Sequence, residues 1–267
     1  MRCTLPVITL LLLTGCQQHR PEPARSAAPS ATSQEPLQFE PVKIADAAPV
    51  SGWVEVRPGV QVNVDQQRIR IAAEICLDPA TGEPGRGVPL EAILVTPVSG
   101  KEHEAIAVTK AKPSDVHFAL LLLRLENGTP GRWTFDKATR RLTAHPPTGP
   151  QVHATLIHGV KTTRLADFVV VLDDDGKATR PFTATAKTGP SNWMFAGSFF
   201  GKFQGKEVYD ADYTGIIIGL CTFGGEVLAW PDVLDPESAR QQPIWYGKSD
   251  MLPPFGTAVM VELTPEQ

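Results

Sequence analysis

Residues Leu90 to Pro130 read LEAILVTPVSGKEHEAIAVTKAKPSDVHFALLLLRLENGTP, and they constrain the fold more than any other stretch. Leu90 to Thr96 is apolar without alternation, the pattern of a strand covered on both faces. Ala105 to Thr109 is its expected partner, with Pro97 to Glu104 turning between them. A short helix over about 113–125 follows. Pro113 suits its first position, where a missing N–H costs nothing, and Asp115 complements the helix dipole. Asn127-Gly128 is the expected stop, because both residues tolerate positive φ. The helix is apolar nearly all round, which predicts burial; Ser114, His117 and Arg124 form its polar stripe.

Strand patterns dominate elsewhere. Val60, Val62 and Val64 alternate with polar residues, and after Asp65-Gln66-Gln67 so do Ile69, Ile71, Ala73 and Ile75. This predicts a hairpin with one wet face. Trp133 with Phe135, then Gln151–Val160, Leu165–Leu172, Gly215–Phe223, Val227–Trp230 and Thr257–Leu263 read as further strands. Asp173 to Gly176 is a hairpin turn signal and lacks the acid spacing of a calcium loop. Pro231 to Pro254 reads as a long loop. Hairpin-linked strands and one short buried helix predict an α+β fold with a mostly antiparallel sheet.

The first 16 residues are a targeting segment. Arg2 is its basic region, and Leu5 to Leu13 is an apolar run shorter than the ~20 residues that span a bilayer as a helix. Leu13-Thr14-Gly15-Cys16 resembles a bacterial lipobox, which implies cleavage before Cys16 and its lipidation. Residues 17–50 are rich in Pro, Ala, Ser, Gln and Glu; such a chain buries too little apolar surface to offset the entropy of ordering it and reads as a disordered tether. Residues 51–267 are then the globular part, long enough for one domain or two packed lobes. The expected location is the bacterial envelope, lipid-anchored in the outer membrane and facing the periplasm.

The net charge is −4, and Lys and Arg form no cluster, which argues against a nucleic-acid partner. Cys3 leaves with the signal and Cys16 is lipidated, so Cys76 and Cys221 remain as a disulfide candidate in an oxidising compartment. No nucleophile elbow, phosphate loop or dinucleotide fingerprint is present and no cofactor is implied; the partners expected are the membrane, through the lipid anchor, and an envelope protein, while the sequence does not identify a small-molecule ligand.

The segments LEAILVTPVSGKEHEAIAVTKAKPSDVHFALLLLRL, NWMFAGS, Tyr209 to Gly215 and LPPFGTAVMVEL together resemble the YdjY domain family of bacterial envelope proteins, over roughly residues 58–264. The family pattern falls on Lys101, His103, Glu104, Pro113, Ser114 and His117. Where the pattern usually has glycine near the helix end, this chain has Arg124. The resemblance implies a domain boundary and a location, and it implies no activity.

If that motif marks one site, Lys101, His103, Glu104 and His117 should gather around a concavity, with Glu104 paired to His117. Two histidines and a carboxylate are also a candidate zinc set, although HEAIA lacks the second histidine of the helical metalloprotease motif. The blander reading is a solvated turn plus a satisfied helix histidine. Asp210 and Asp212 would share one side of a strand and form a carboxylate pair. Trp193, Phe195, Phe199 and Phe200 read as core or as a binding face. Two functions follow: a non-catalytic binding or assembly module, or a metal-binding protein or metal-dependent hydrolase using His103, Glu104, His117 and Asp212.

Overall fold

A computed structural model describes residues 52–82, 87–172, 179–181, 192–235 and 245–266. The signal segment, the tether and the Asp173 to Gly176 turn lie outside the described residues.

The predicted first hairpin forms. Strands β1 (Val54–Arg57), β2 (Val60–Asn63) and β3 (Arg68–Ile75) run antiparallel, and β3 buries Ile69, Ile71, Ala73 and Ile75 in strict alternation. After β4 (Val88–Pro89) comes β5 (Ala92–Val95), buried at every position as its unbroken apolar run requires. β6 (Ala105–Val108) is its partner, but the pair is parallel. Two 3-10 turns, Pro97–Ser99 and Glu102–Glu104, carry the chain back to the start of β5.

Helix α1 (Pro113–Leu122) follows. A small hairpin, β7 (Arg132–Asp136) and β8 (Arg141–His145), leads to β9 (Gln151–His158) and β10 (Lys161–Arg164). Next come β11 (Val169–Leu172), β12 (Thr179–Pro181), β13 (Trp193–Phe195) and the hairpin of β14 (Phe200–Phe203) with β15 (Lys206–Tyr209). A five-residue helix, α2 (Asp210–Thr214), precedes β16 (Ile216–Gly219) and β17 (Leu228–Ala229), which are again parallel rather than a hairpin. β18 (Trp245–Gly247) lies within the expected long loop, and β19 (Ala258–Pro265) closes the fold with Val259, Val261 and Leu263 buried.

These strands correct the α+β expectation. The order β3-β19-β9-β13-β17-β16-β5-β6 returns to β3 through Glu74↔Val108 and Ile75↔Ala107, so eight strands close into a barrel. Among the described residues the protein is mostly β, with 44% in strands, 17% helical and one helix of seven or more residues. Closure removes the sheet edges, and an eight-stranded barrel is narrow enough for side chains to fill. Alternate residues of β3, β9 and β19 supply that filling: Ile69, Ile71, Val152, Ala154, Leu156, Val261 and Leu263 are all buried in one core. β11, β12, β18 and β4 form a separate four-stranded sheet.

The helix is also not enclosed as predicted. It packs on β2, β3, β16 and α2 through Val116, Ala119 and Leu120, but Leu121 is 45% exposed and Leu122 38%. It ends before Asn127-Gly128. The Arg124 N–H donates to Leu121 O (2.8 Å) and the Leu125 N–H to Leu120 O (3.3 Å), with Arg124 in the left-handed region at φ 62°. This is a Schellman stop with arginine at the position that glycine fills best. Arg124→Gly is therefore expected to stabilise the domain by about 0.5–1 kcal/mol, because the Cβ strain it relieves exceeds the added backbone entropy. A urea midpoint that falls in the variant would contradict this.

Candidate functional site

The segments bearing the predicted motif converge in two neighbouring clusters joined by α2.

The first surrounds Glu91, just before β5. Its N–H donates to Glu104 O (2.9 Å), and its carbonyl accepts from the N–H groups of Leu220 (2.9 Å) and Cys221 (3.0 Å). The carboxylate forms a short ion pair with Lys101, whose ammonium also lies 3.7 Å from Glu104 Oε2 and 5.2 Å from the centre of the Phe223 ring. Burial holds the Glu91 carboxyl above the usual carboxylate range; Lys101 pulls the other way and Glu104 adds to the rise. His103 is on the rim, its side chain 66% exposed and Nε2 3.9 Å from Glu104 Oε1.

The second cluster lies at the start of α1. Residue Lys112 at the N-cap makes no side-chain capping bond. Asp212 on α2 supplies it instead: Oδ1 accepts from the Ser114 N–H (2.8 Å) and Oδ2 from the Ser114 hydroxyl (2.7 Å). One turn on, His117 Nδ1 is 2.7 Å from the Tyr209 hydroxyl, which donates to Gly197 O (2.9 Å). That bond uses the single phenolic proton, so neutral His117 donates from Nδ1 and keeps its lone pair on Nε2. The Phe195 ring meets His117 edge-on at 5.0 Å. Burial lowers the His117 pKa, partly offset by the Gly197 carbonyl, and raises that of Tyr209, with the Asp212 charge adding to it. The NWMFAGS segment reaches this point through positive φ at Gly197 (84°) and Ser198 (55°), and Ser198 Oγ accepts the Ala211 N–H at 3.1 Å.

Helix α2 couples the clusters. Its end residue Gly215 (φ 75°) accepts the Thr96 N–H at 2.8 Å, and a Cβ there would stand 2.7 Å from Ser99 N. Glycine is required for the loop that leads into Lys101 to dock.

Lys101, His103 and Glu104 are thus brought together, and His117 is not among them. The expected Glu104–His117 pair is absent: Glu104 faces Lys101 and His103, whereas His117 faces Tyr209 and Phe195. Asp210 and Asp212 lie on a helix rather than a strand, so they do not form a same-side pair. Asp210 sits by Gly225, where a Cβ would meet its Oδ2 at 1.9 Å. Among the described residues, no group of three or more His, Cys, Asp or Glu is arranged to hold a metal ion.

The disulfide candidate is corrected as well. Cys76 and Cys221 are free and buried. Cys76 follows β3 and Cys221 follows β16, with β6 and β5 between them in the barrel. Three strand spacings come to roughly 14 Å, well beyond the ~7 Å Cα separation a disulfide tolerates. Burial pushes the Cys76 thiol up to about 12, with Glu102 adding, and raises that of Cys221. Trp193 and Phe195 are core, while Phe199 and Phe200 are exposed.

Compared with protein families, residues 60–264 match the YdjY domain. The chain belongs to the YdjY domain family. No curated protein and no solved structure matches it. In this YdjY domain, sequence reasoning overlooked Glu91, Tyr209 and Glu226. Glu226 is 1% exposed, its Oε2 has no hydrogen-bond partner, and burial raises its pKa to about 7 against the backbone N–H groups of Phe223 to Glu226. The available signal was a lone acid in the apolar run Gly225-Glu226-Val227-Leu228.

Proposed function

We propose that this YdjY domain is the periplasm-facing head of a lipid-anchored envelope protein, and that it binds or assembles rather than catalyses. Leu13-Thr14-Gly15-Cys16 carries the anchoring half of this reading. Several acyl chains, each CH₂ contributing ~0.8 kcal/mol on burial, hold where a single chain would not. The side-chain chemistry supports the binding half. A nucleophile needs an adjacent base or a lowered pKa. Cys76 and Cys221 are buried with raised pKa values, the Ser114 hydroxyl is committed to an Asp212 that caps a helix, and Ser198 Oγ accepts a backbone N–H. A closed barrel packed with side chains leaves recognition to its outer surface.

Replacing Cys16 with Ser should abolish lipid labelling and move the protein out of the mature outer-membrane fraction. A variant that is processed and partitions like the wild type would overturn the anchor. A pull-down from solubilised membranes through the Glu91–Lys101 face, compared with Lys101→Glu, tests the binding half; a partner profile that charge reversal leaves unchanged would count against that face.

A further inference from the structure

We propose that the β14–β15 hairpin is a second membrane contact, inserting its aromatic side chains among the headgroups of the bilayer that holds the lipid anchor. The proposal rests on the anchored reading above.

The hairpin pairs with no other strand among the described residues. Phe200 is 69% exposed, Phe203 41%, and the adjoining Phe199 and Tyr213 46% and 52%. They are grouped, not scattered: the tilted rings of Phe203 and Tyr213 lie 4.6 Å apart, and those of Phe200 and Tyr209 5.5 Å. Exposed apolar side chains in one group mark an interaction surface.

The pairing distinguishes the kind of partner. Phe200 opposes Tyr209 on one face of the ribbon, and Phe203, three residues on, lies on the other. A protein surface would cover one face; a lipid interface surrounds the hairpin and accepts both. Aromatic rings are enriched at that depth. Gln204 and Gly205 turn the hairpin with φ of 49° and 79°, which places exposed Lys202 and Lys206 at its tip. Long lysine stems can lie along apolar surface while the ammonium reaches a phosphate, and the two lysines outnumber the one acid in the hairpin, Glu207.

Position agrees. Arg57 on β1 pairs with Asp115 of α1 at 3.2 Å and covers Phe118 at 4.4 Å, while Tyr209 of the hairpin contacts His117 of the same helix. The first strand of the barrel region and the base of the hairpin thus both contact helix α1. The 34 residues from 17 to 50 bound the distance from a lipidated Cys16 to the barrel at ~120 Å even if fully extended, so an anchored molecule presents the hairpin to its own membrane at raised effective concentration.

The test uses the lipidated full chain with vesicles of phosphatidylethanolamine and phosphatidylglycerol carrying brominated acyl chains. Phe203→Trp reports on the hairpin. Val160→Trp is the control, because it lies past the far end of β9 from Gln151, which pairs with Met194 close to the hairpin. The expected result is a blue shift and loss of most emission from the indole introduced at 203, with the indole at 160 unaffected. Vesicle flotation without quenching at 203 would overturn the proposal and leave the anchor intact. Equal quenching at both positions would also overturn it, since no face would then be preferred. Failure to float would overturn the anchor instead; quenching at excess vesicle would still decide the hairpin by the same comparison. A blue shift that grows with protein concentration without vesicles would assign the hairpin to a second copy and overturn the lipid contact.

Discussion

Glu226→Gln is expected to raise the melting temperature at pH 8 by roughly 6–12 °C and to have little effect at pH 4. Glu226 sits between the parallel strands β16 and β17, 1% exposed, in a loop whose N–H groups favour its charge less than burial opposes it. Its pKa is raised from 4.5 to about 7. Below pH 4.5 the carboxyl is protonated in both the folded and the unfolded chain, and the shift has no effect on stability. Between 4.5 and about 7 the unfolded chain releases its proton first, so stability falls as pH rises. Above about 7 the full cost is present, on the order of 3 kcal/mol at ~1.4 kcal/mol per pKa unit. Glutamine keeps an acceptor oxygen and removes the charge. The check is the difference in melting temperature between the two proteins across pH 4–8. A difference that does not widen through that range would show that the carboxylate ionises without penalty.

Asp212→Ala is expected to cost about 2–3 kcal/mol, read as a lower urea midpoint with an unchanged slope. Asp212 offers α1 two hydrogen bonds from a charged acceptor, and it does so from another helix, because Lys112 at the N-cap provides none. Its removal leaves two donors of Ser114 unpaired at a partly buried helix start and takes a negative charge from the positive end of the dipole. Asp212→Asn should recover part of the loss, and Ser114→Ala should cost less than Asp212→Ala, since the backbone bond survives. If Asp212→Ala and Ser114→Ala lose the same amount, the hydroxyl alone matters and the cap does not.

The strands were legible because alternation is local. Ile69, Ile71, Ala73 and Ile75 announce their own inward face, as do Val259, Val261 and Leu263. The unbroken run Ala92–Val95 announces that both its faces are covered. What such runs omit is direction. β5 with β6 and β16 with β17 read as hairpins because each pair is close in sequence, yet both are parallel. Two 3-10 turns in one case, and a glycine loop around Glu226 in the other, return the chain to the starting end. The candidate site was legible as segments and not as contacts. KEHE, PSDVH, FAGS and the stretch from Tyr209 to Gly215 all reach the two clusters. The expected partner for His117 was the nearest acid in sequence, and its partner in space is Tyr209, 92 residues away.

The sequence by itself determined the membership of residues 60–264 in the YdjY domain family, the positions of most strands, the start of the helix at Pro113 and the buried faces. Each follows from neighbours within a few residues of one another, through φ preferences, side-chain period and apolar content. Tertiary structure alone decided that the sheet closes, that α1 is capped by Asp212 and exposed at Leu121 and Leu122, that the two cysteines stand apart, and that Glu226 is sealed in as an acid. Those outcomes depend on which distant surfaces meet. Glu74 and Ile75 join Val108 and Ala107 because eight twisted strands bring their edges round to each other, and no residue along the way carries a local sign of it.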